Sequence, residues 1–317
     1  MIIGREVPAI PGKWLAGCMA VSMIVLAGLM HQAGLSLNPA AASNEPFYAC
    51  GALAIGLRVG LRRRATRRQR FVGDIAESFA VFTAIALIGA VASYPAAAES
   101  RGLVDPGLVR LDTAMGFNWV SWYRITAAHP ALQVAGRFAY QSIYWTPAVI
   151  LGAFAWAGRL DLTRMFLLRF WVAALLTLLL FRLMPAVGPL AYQWRGPVPY
   201  MPESALWEAQ LIPALRQHQV HLVDLGRLRG LVSVPSFHAA AAVLYMGAAR
   251  PLARLRWPVV AVNTLMLLAT PVEGTHYLAD LIAGGMVAGV AWSAVGWLTS
   301  YRASQFGQPT AAAAMTR

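Results

Sequence analysis

The sequence is poor in charge, in cysteine and in lysine. Only 12% of its 317 residues are charged, against about 25% in soluble globular domains, so the composition excludes a soluble fold. The two cysteines, Cys18 and Cys50, fall in apolar segments expected near opposite membrane faces, which argues against a disulfide and against a cysteine metal site. Lysine occurs once, at Lys13, although the formal net charge is +13. Arginine therefore carries nearly all of the positive charge.

Apolar residues are abundant and make up 58% of the chain. Eight apolar runs are candidate membrane-spanning helices: residues 14–30, 47–61, 71–92, 138–157, 166–183, 237–249, 257–272 and 277–298. Several are shorter than the ~20 residues of a full crossing, so their ends are approximate. We predict an all-α integral membrane protein, a multi-span helix bundle of about eight spans.

Arginines cluster after every second apolar run. The clusters are Arg58, Arg62, Arg63, Arg64, Arg67, Arg68 and Arg70, then Arg159 and Arg164, then Arg250, Arg254 and Arg256, then Arg302 and Arg317. Because cytoplasmic loops are enriched in arginine, we expect these clusters and both termini in the cytoplasm. This clumped charge does not indicate nucleic-acid binding. If the loops alternate in this way between the two sides of the membrane, five polar residues lie together on the non-cytoplasmic (outer) face: Arg182, Ser236, His238, His276 and Asp280.

Two outer segments are longer than simple connectors. In residues 101–130, Asp105 followed by Pro106 is typical of a capped helix start, and Trp119, Trp122 and Tyr123 suit a membrane interface. We predict a short interfacial or re-entrant helix there. Residues 185–235 form a segment too long for a plain connection, and we predict a lid over a site.

Ionisable residues at the membrane boundary are costly to desolvate, which makes them functional candidates. His276 and Asp280 are four residues apart, so on a helix the carboxylate can orient the imidazole and leave its other nitrogen to act as a nucleophile or base. A structural histidine within the bundle is the alternative interpretation.

The segment containing Pro235, Ser236 and His238 predicts a helix start, where free N–H groups bind anions. An ordinary cap is the alternative role for Ser236. Arg182, near the end of the fifth run, is placed either to hold phosphate oxygens or to extend to the interface. Together these groups are suited to phosphoryl transfer through a phosphohistidine, with no metal and no other cofactor.

Three segments resemble the motifs of the type 2 phosphatidic acid phosphatase superfamily. They are Arg182-Leu183-Met184-Pro185-Ala186-Val187-Gly188-Pro189, Pro235-Ser236-Phe237-His238 and Gly274-Thr275-His276-Tyr277-Leu278-Ala279-Asp280. The Arg-x-x-Pro and His-Tyr-x-x-Asp forms are most similar to the inositol phosphorylceramide synthase (aureobasidin-resistance) branch. The resemblance implies a core of six spans. We expect residues 1–70 to be a two-span extension with a basic cytoplasmic loop, 71–300 the catalytic membrane domain and 301–317 a disordered cytoplasmic tail.

The resemblance also implies roles for individual residues. His276 would attack phosphorus, Asp280 would orient it, and His238 would protonate the departing oxygen. His238 would then act as the base for the second substrate. Arg182 and Ser236 would hold the phosphate.

Two positions depart from the common pattern of the superfamily. Leu175 stands where that pattern has a lysine, and Thr270 where it has an arginine. A charge-assisted contact contributes about 1.5–3 kcal/mol, so losing two cations weakens binding of a dianionic monoester more than that of a monoanionic diester. Arg195, Arg227 or Arg229 in the outer segment are candidates to replace these charges.

We therefore expect a metal-independent lipid phosphatase or phosphotransferase, with a preference for inositol-phosphoryl transfer. Its partners would be a phospholipid or lipid phosphate, a hydroxyl acceptor (water, a sugar or a lipid alcohol) and the bilayer, with Glu273 and Tyr277 as candidate head-group contacts. Alternatives are a hydrolytic phosphatase of phosphatidate or polyprenyl-type phosphates and a non-enzymatic transporter or inactive scaffold. In a bacterium the site would be periplasmic, on the inner membrane.

Overall fold

The computed structural model describes residues 10–61 and 66–305. The helices are α1 (Gly12–Gln32), α2 (Glu45–Gly60), α3 (Arg67–Ala98), α4 (Asp105–Ala114), α5 (Trp119–Ala128), α6 (Pro130–Tyr140), α7 (Ser142–Trp156), α8 (Leu160–Leu183), α9 (Pro189–Gln193), α10 (Trp207–Arg216), α11 (Phe237–Ala249), α12 (Arg256–Glu273) and α13 (Leu278–Gln305). Short 3-10 turns cover Ala42–Asn44 and Leu225–Arg227, and two-residue strands β1 (Ser36–Leu37) and β2 (Leu222–Val223) pair in parallel. This architecture confirms the predicted all-α membrane helix bundle.

Seven of the eight predicted apolar runs each coincide with one helix, and the run 138–157 begins in the last turn of α6 and continues through α7. Among the described residues, α1, α3, α8 and α13 are long and apolar enough to cross a membrane, and α7 and α11 are shorter apolar helices. Only 17–39% of the most apolar stretch of each long helix is buried inside the protein. The remaining apolar surface faces outward, as a multi-pass membrane protein requires because lipid is its solvent.

The core lies where α3, α8, α11 and α13 meet. The Phe82 and Phe170 rings are 4.7 Å apart, and Phe170 stacks on Tyr245 at 6.3 Å. Four consecutive buried alanines, Ala239–Ala242, have small side chains, which allows α12 and α13 to pack closely against the first half of α11. On α13, a Cβ at Gly284 would overlap the carbonyl oxygen of Ser236. The start of α11 is therefore held directly against α13.

The N-terminal helices are packed against the rest of the bundle. Helices α1 and α2 contact α3, and the link between them pairs with the long outer segment through β1 and β2. The Ser43 hydroxyl donates a hydrogen bond of 2.6 Å to Asp224 in that segment. Residues 33–44 and 220–227 therefore lie at the same end of the bundle.

Several sequence expectations need correction. Residues 101–130 form α4, α5 and the start of α6 rather than one helix. Asp105 does not cap α4, because Val104 occupies the cap position. Trp119 and Tyr123 are buried rather than interfacial, and their side chains donate hydrogen bonds of 2.7 Å to the carbonyl oxygens of Pro271 and Tyr200. Only Trp122 of the three is exposed.

The outer segment and the C-terminal tail contain more regular structure than the sequence indicates, and the lid role of residues 185–235 stays a prediction. Residues 185–235 contain α9, α10 and β2, so the segment is an ordered layer. Helix α13 continues to Gln305, so residues 301–305 are helical rather than part of a disordered tail. Arg62, Arg63, Arg64, Arg317 and the alanine-rich end of the tail lie outside the described residues.

Candidate active site

His276 lies in the tight connection between α12 and α13. Thr275 before it has a φ of 49°, in the left-handed region that β-branched residues rarely adopt. This turn directs the imidazole back over the helix start, where Nδ1 lies 3.2 Å from Oδ2 of Asp280. The predicted contact is present, although His276 precedes the helix by two residues. A Cβ at Gly274 would come within 2.6 Å of Cδ2 of His276, so the turn requires glycine there.

The His276–Asp280 pair is buried, with the two side chains 4% and 1% exposed. Burial disfavours the charged imidazolium. The Asp280 carboxylate, aided by Glu208 and the Ser233 backbone, outweighs this and raises the pKa of His276. Oδ1 of Asp280 has no hydrogen-bond partner within the described part of the chain.

His238 occupies the first turn of α11. Ser236 caps this helix as predicted, with its Oγ accepting a hydrogen bond of 3.4 Å from the Ala239 N–H. The Ser236 N–H donates to the carbonyl of Asp280 at 3.0 Å, which ties the start of α11 to the start of α13. The His238 ring stacks on Tyr140 with centroids 3.9 Å apart, and its Nε2 has no partner in the described structure.

Both imidazoles line one cavity of about 220 Å³. Its walls on α3 and α8 are mostly apolar, with the hydroxyls of Ser93 and Thr177 as the polar groups there. The apolar side chains are those of Phe82, Ile85, Ala86, Ala90, Phe170, Ala174 and Leu178. The cavity thus has a polar end and an apolar end. This division matches a lipid ester, which has a phosphate group at one end and a hydrocarbon chain at the other.

Glu208 of α10 contributes a carboxyl group to the described cavity wall, and no sequence pattern pointed to it. It is buried, and its Oε2 has no hydrogen-bond partner among the described residues. Burial raises the pKa of Glu208 to about 7, with smaller effects of the nearby His276 and Asp280. Glu208 follows Trp207 directly in a long outer segment, where the local sequence gives no signal of a site. Only the fold brings it to the histidines.

A family model described as the PAP2 superfamily matches residues 106–294. The chain belongs to the PAP2 superfamily. Searches against curated proteins and against solved structures gave no significant match. Membership confirms the superfamily resemblance and makes this PAP2 protein a membrane enzyme of the lipid phosphatase and phosphotransferase class. The matched region leaves out α3, although α3 contributes part of the cavity wall.

The first motif of this PAP2 protein is held in place by Asp105. Its carboxylate accepts hydrogen bonds of 3.1 Å from both the Val187 and Gly188 N–H groups and one of 2.9 Å from the Tyr277 hydroxyl. Asp112, two turns along α4, accepts from the N–H groups of Leu278 and Ala279 at the start of α13. Helix α4 therefore positions the first and third motifs relative to each other.

We expect Asp105→Asn to destabilise the protein by about 1–3 kcal/mol. An amide nitrogen would replace one carboxylate oxygen and would face an N–H group that also donates, so at least one buried donor loses its partner. Thermal unfolding of the purified protein in detergent measures the loss. Asp224→Asn, in a less buried turn, is the matched control, and equal destabilisation by both would contradict the positioning role of Asp105.

Other predicted site residues lie around the cavity rather than in it. The Arg182 guanidinium pairs with Glu99 at 3.5 Å, is 47% exposed, and does not line the cavity. The Glu273 carboxylate accepts hydrogen bonds from the Tyr200 hydroxyl (2.7 Å) and the Glu203 N–H (3.2 Å). Glu273 and Tyr277, the two predicted head-group contacts, are therefore both hydrogen-bonded to groups of the protein itself. Their roles toward a substrate stay predictions.

The two positions where the family pattern has cations carry none in this PAP2 protein. Leu175 is 43% exposed on the outside of α8, and the buried Thr270 hydroxyl donates to the Met266 carbonyl of its own helix. No arginine or lysine of the described chain lines the cavity. Of the suggested replacements, Arg229 adjoins Gly230 of the cavity wall in sequence, and its guanidinium stacks 4.2 Å from the ring of Trp207.

Proposed function

We propose that this enzyme transfers a phosphoryl-linked head group from a phospholipid to a hydroxyl acceptor through a phosphohistidine on His276. One observation carries the proposal: the Asp280-backed imidazole of His276 and the imidazole of His238 line the same cavity. Two imidazoles at one phosphate supply a nucleophile and a separate proton carrier, which is what a two-step transfer needs.

In the first step, Nε2 of His276 attacks phosphorus, because Nδ1 faces Asp280. The bond from phosphorus to the lipid oxygen breaks, and a protonated His238 gives its proton to that oxygen. In the second step, the now neutral His238 takes the proton of the acceptor hydroxyl as its oxygen attacks phosphorus. The bond from phosphorus to Nε2 then breaks, and both histidines return to their starting states.

The absence of arginine and lysine from the described cavity wall favours a monoanionic phosphodiester over a dianionic monoester. The N-terminus of α11 supplies N–H groups and a partial positive charge for one negative charge. The Glu208 carboxyl would disfavour a second negative charge and would accept a hydrogen bond from a hydroxyl. A head group rich in hydroxyls, such as inositol phosphate, suits this combination, as do the Arg-x-x-Pro and His-Tyr-x-x-Asp forms of the motifs.

We further propose that the cavity opens to the non-cytoplasmic side. The arginine clusters after α2, α7 and α11 support this orientation, since the histidines lie at the other ends of the helices. Hydrolysis of phosphatidate or polyprenyl-type phosphates is the second candidate. The mostly apolar wall on α3 and α8 suits the hydrocarbon chain of either class of substrate.

Product analysis by mass spectrometry tests the proposed reaction. Purified enzyme is given phosphatidate, a polyprenyl phosphate, and phospholipids with glycerol or inositol head groups, each with and without alcohol acceptors such as inositol and ceramide. We expect a transferred phosphodiester that forms only when lipid diester and acceptor are both present. Release of inorganic phosphate from monoesters alone would show that the hydrolytic alternative is correct.

Glu208 gives the enzyme a pH-dependent stability that Glu208→Gln removes. The Glu208 carboxyl binds its proton more tightly in the folded state, where its pKa is about 7, than in the unfolded chain, where its pKa is near 4.5. The free-energy cost of ionising Glu208 in the folded protein is therefore absent at low pH and grows as the pH rises from 4.5 to about 7. We expect Glu208→Gln to stabilise the protein at pH 8, by an amount on the order of 3 kcal/mol at most, and to leave it unchanged near pH 4.5.

Thermal unfolding at both pH values measures this difference. Glu203→Gln, which changes an exposed carboxyl in the same outer segment, is the matched control. An equal effect of Glu208→Gln at both pH values would contradict a buried, proton-binding Glu208. As a contact of the head-group hydroxyls, Glu208→Gln should also raise the KM for the phospholipid more than it lowers kcat.

A further inference from the structure

A second cavity lies at the end of the bundle opposite the histidines. Helix α11 carries His238 in its first turn and is followed by Arg250 at its C-terminal cap, about 18 Å away at 1.5 Å per residue. Around Arg250, the end of α11, the start of α12 and the middle of α13 enclose a cavity of about 750 Å³. No residue of this wall belongs to the wall of the catalytic cavity.

Three guanidinium groups lie in or next to the wall of this cavity. Arg250 and Arg256 line it, and their contacts are with indole rings: Arg250 lies 5.8 Å from the Trp292 ring and Arg256 lies 4.7 Å from Trp257. Arg169 of α8 stacks on the same Trp292 ring at 3.5 Å, and its Nε has no hydrogen-bond partner in the described structure. Within the described residues, none of the three guanidiniums pairs with a carboxylate. This concentration of uncompensated positive charge selects an anion.

The remaining wall is open and, apart from Ser293, apolar. Val243, Met246 and Val260 line it, and two glycines determine its shape. A Cβ at Gly247 would come within 2.5 Å of Trp292, so glycine lets that ring pack down onto α11. A Cβ at Gly289 would meet nothing within 4 Å, so this position faces open space. The result is a cationic rim over an apolar groove that runs along the helices.

We propose that this cavity binds an anionic phospholipid of the leaflet opposite the catalytic cavity. The phosphate would lie between Arg250 and Arg256, and an acyl chain would lie along Val243, Met246 and Val260. Charge complementarity favours an anionic over a zwitterionic lipid, and the apolar groove favours a lipid over a soluble anion. Trp257 and Trp292 have the amphipathic rings that occupy the head-group level of a bilayer. The site does not depend on the reaction proposed for the histidines.

Lipid binding to the delipidated, detergent-solubilised full chain tests this site by native mass spectrometry. The probes are phosphatidylglycerol and phosphatidylcholine with identical acyl chains, and inorganic phosphate and glycerol phosphate serve as competitors. We expect phosphatidylglycerol to bind at least tenfold more tightly than phosphatidylcholine. The double variant Arg250→Gln/Arg256→Gln should reduce phosphatidylglycerol binding at least tenfold.

The matched control is Arg254→Gln, which removes the same charge from the same loop at a position outside the cavity wall. It should change binding less than twofold. An equal loss in this control, unchanged binding in the double variant, or equal binding of both lipids would overturn the proposal. Displacement of the lipid by equimolar phosphate would overturn the lipid assignment. If the double variant does not fold, the single exposed Arg256→Gln variant gives the same readout.

Discussion

Replacing His276 with glutamine should lower turnover of the enzyme's lipid substrate by at least about 10³-fold. Glutamine has a similar size and can still contact Asp280, but it cannot form the covalent bond to phosphorus. The same variant should form no acid-labile phosphoenzyme when incubated with substrate labelled in the phosphoryl group. Turnover and phosphoenzyme trapping together separate the loss of a nucleophile from a general loss of binding.

His221→Gln is the matched control, since this exposed histidine lies in the outer segment and does not line the cavity. It should keep parental activity. His238→Gln should also lose turnover, but a labelled enzyme should still accumulate slowly, because His238 carries protons and forms no bond to phosphorus. A His276→Gln variant that turns over as fast as the parent would rule out the phosphohistidine mechanism.

Replacing Gly284 with alanine should destabilise the protein by about 3 kcal/mol or more. The added Cβ would overlap the Ser236 carbonyl oxygen and lie 3.0 Å from Cβ of Ala239, so α11 and α13 would have to separate. The obstacle is backbone, which cannot move aside as a flexible side chain can. Because these two helix starts hold His238 and Asp280, activity should fall with stability.

Gly285→Ala tests whether the effect is specific to that contact. Its added Cβ would lie 4.0 Å from Cγ2 of Val243, an ordinary van der Waals distance, and alanine favours a helix by about 1 kcal/mol relative to glycine. We expect this variant to unfold at or above the parental temperature. If the two alanine variants behaved alike, close packing of α11 against α13 would not be what limits stability.

Much of the fold follows from local sequence features. A long apolar run has to be buried in protein or lipid, where its backbone groups must hydrogen-bond within a helix. All eight predicted runs are accordingly helical in the structure. The cap at Ser236 and the contact of His276 with Asp280 also depend on residues close in sequence. Helix boundaries in residues 101–130 were less predictable. There the carboxylate of Asp105 is used by residues more than eighty positions away instead of by its own helix start.

The sequence by itself determined the membrane class, the approximate helix positions, the superfamily and the two candidate histidines, because each depends on composition or on residues a few positions apart. Only the tertiary structure decided what surrounds those histidines. It brings Tyr140 onto His238 and Glu208 into the cavity, and it pairs Arg182 with Glu99 outside that cavity. The physical reason is that these contacts join distant helices. These contacts form only if the helices approach closely enough, and the small glycine and alanine side chains on the facing helix surfaces determine that distance.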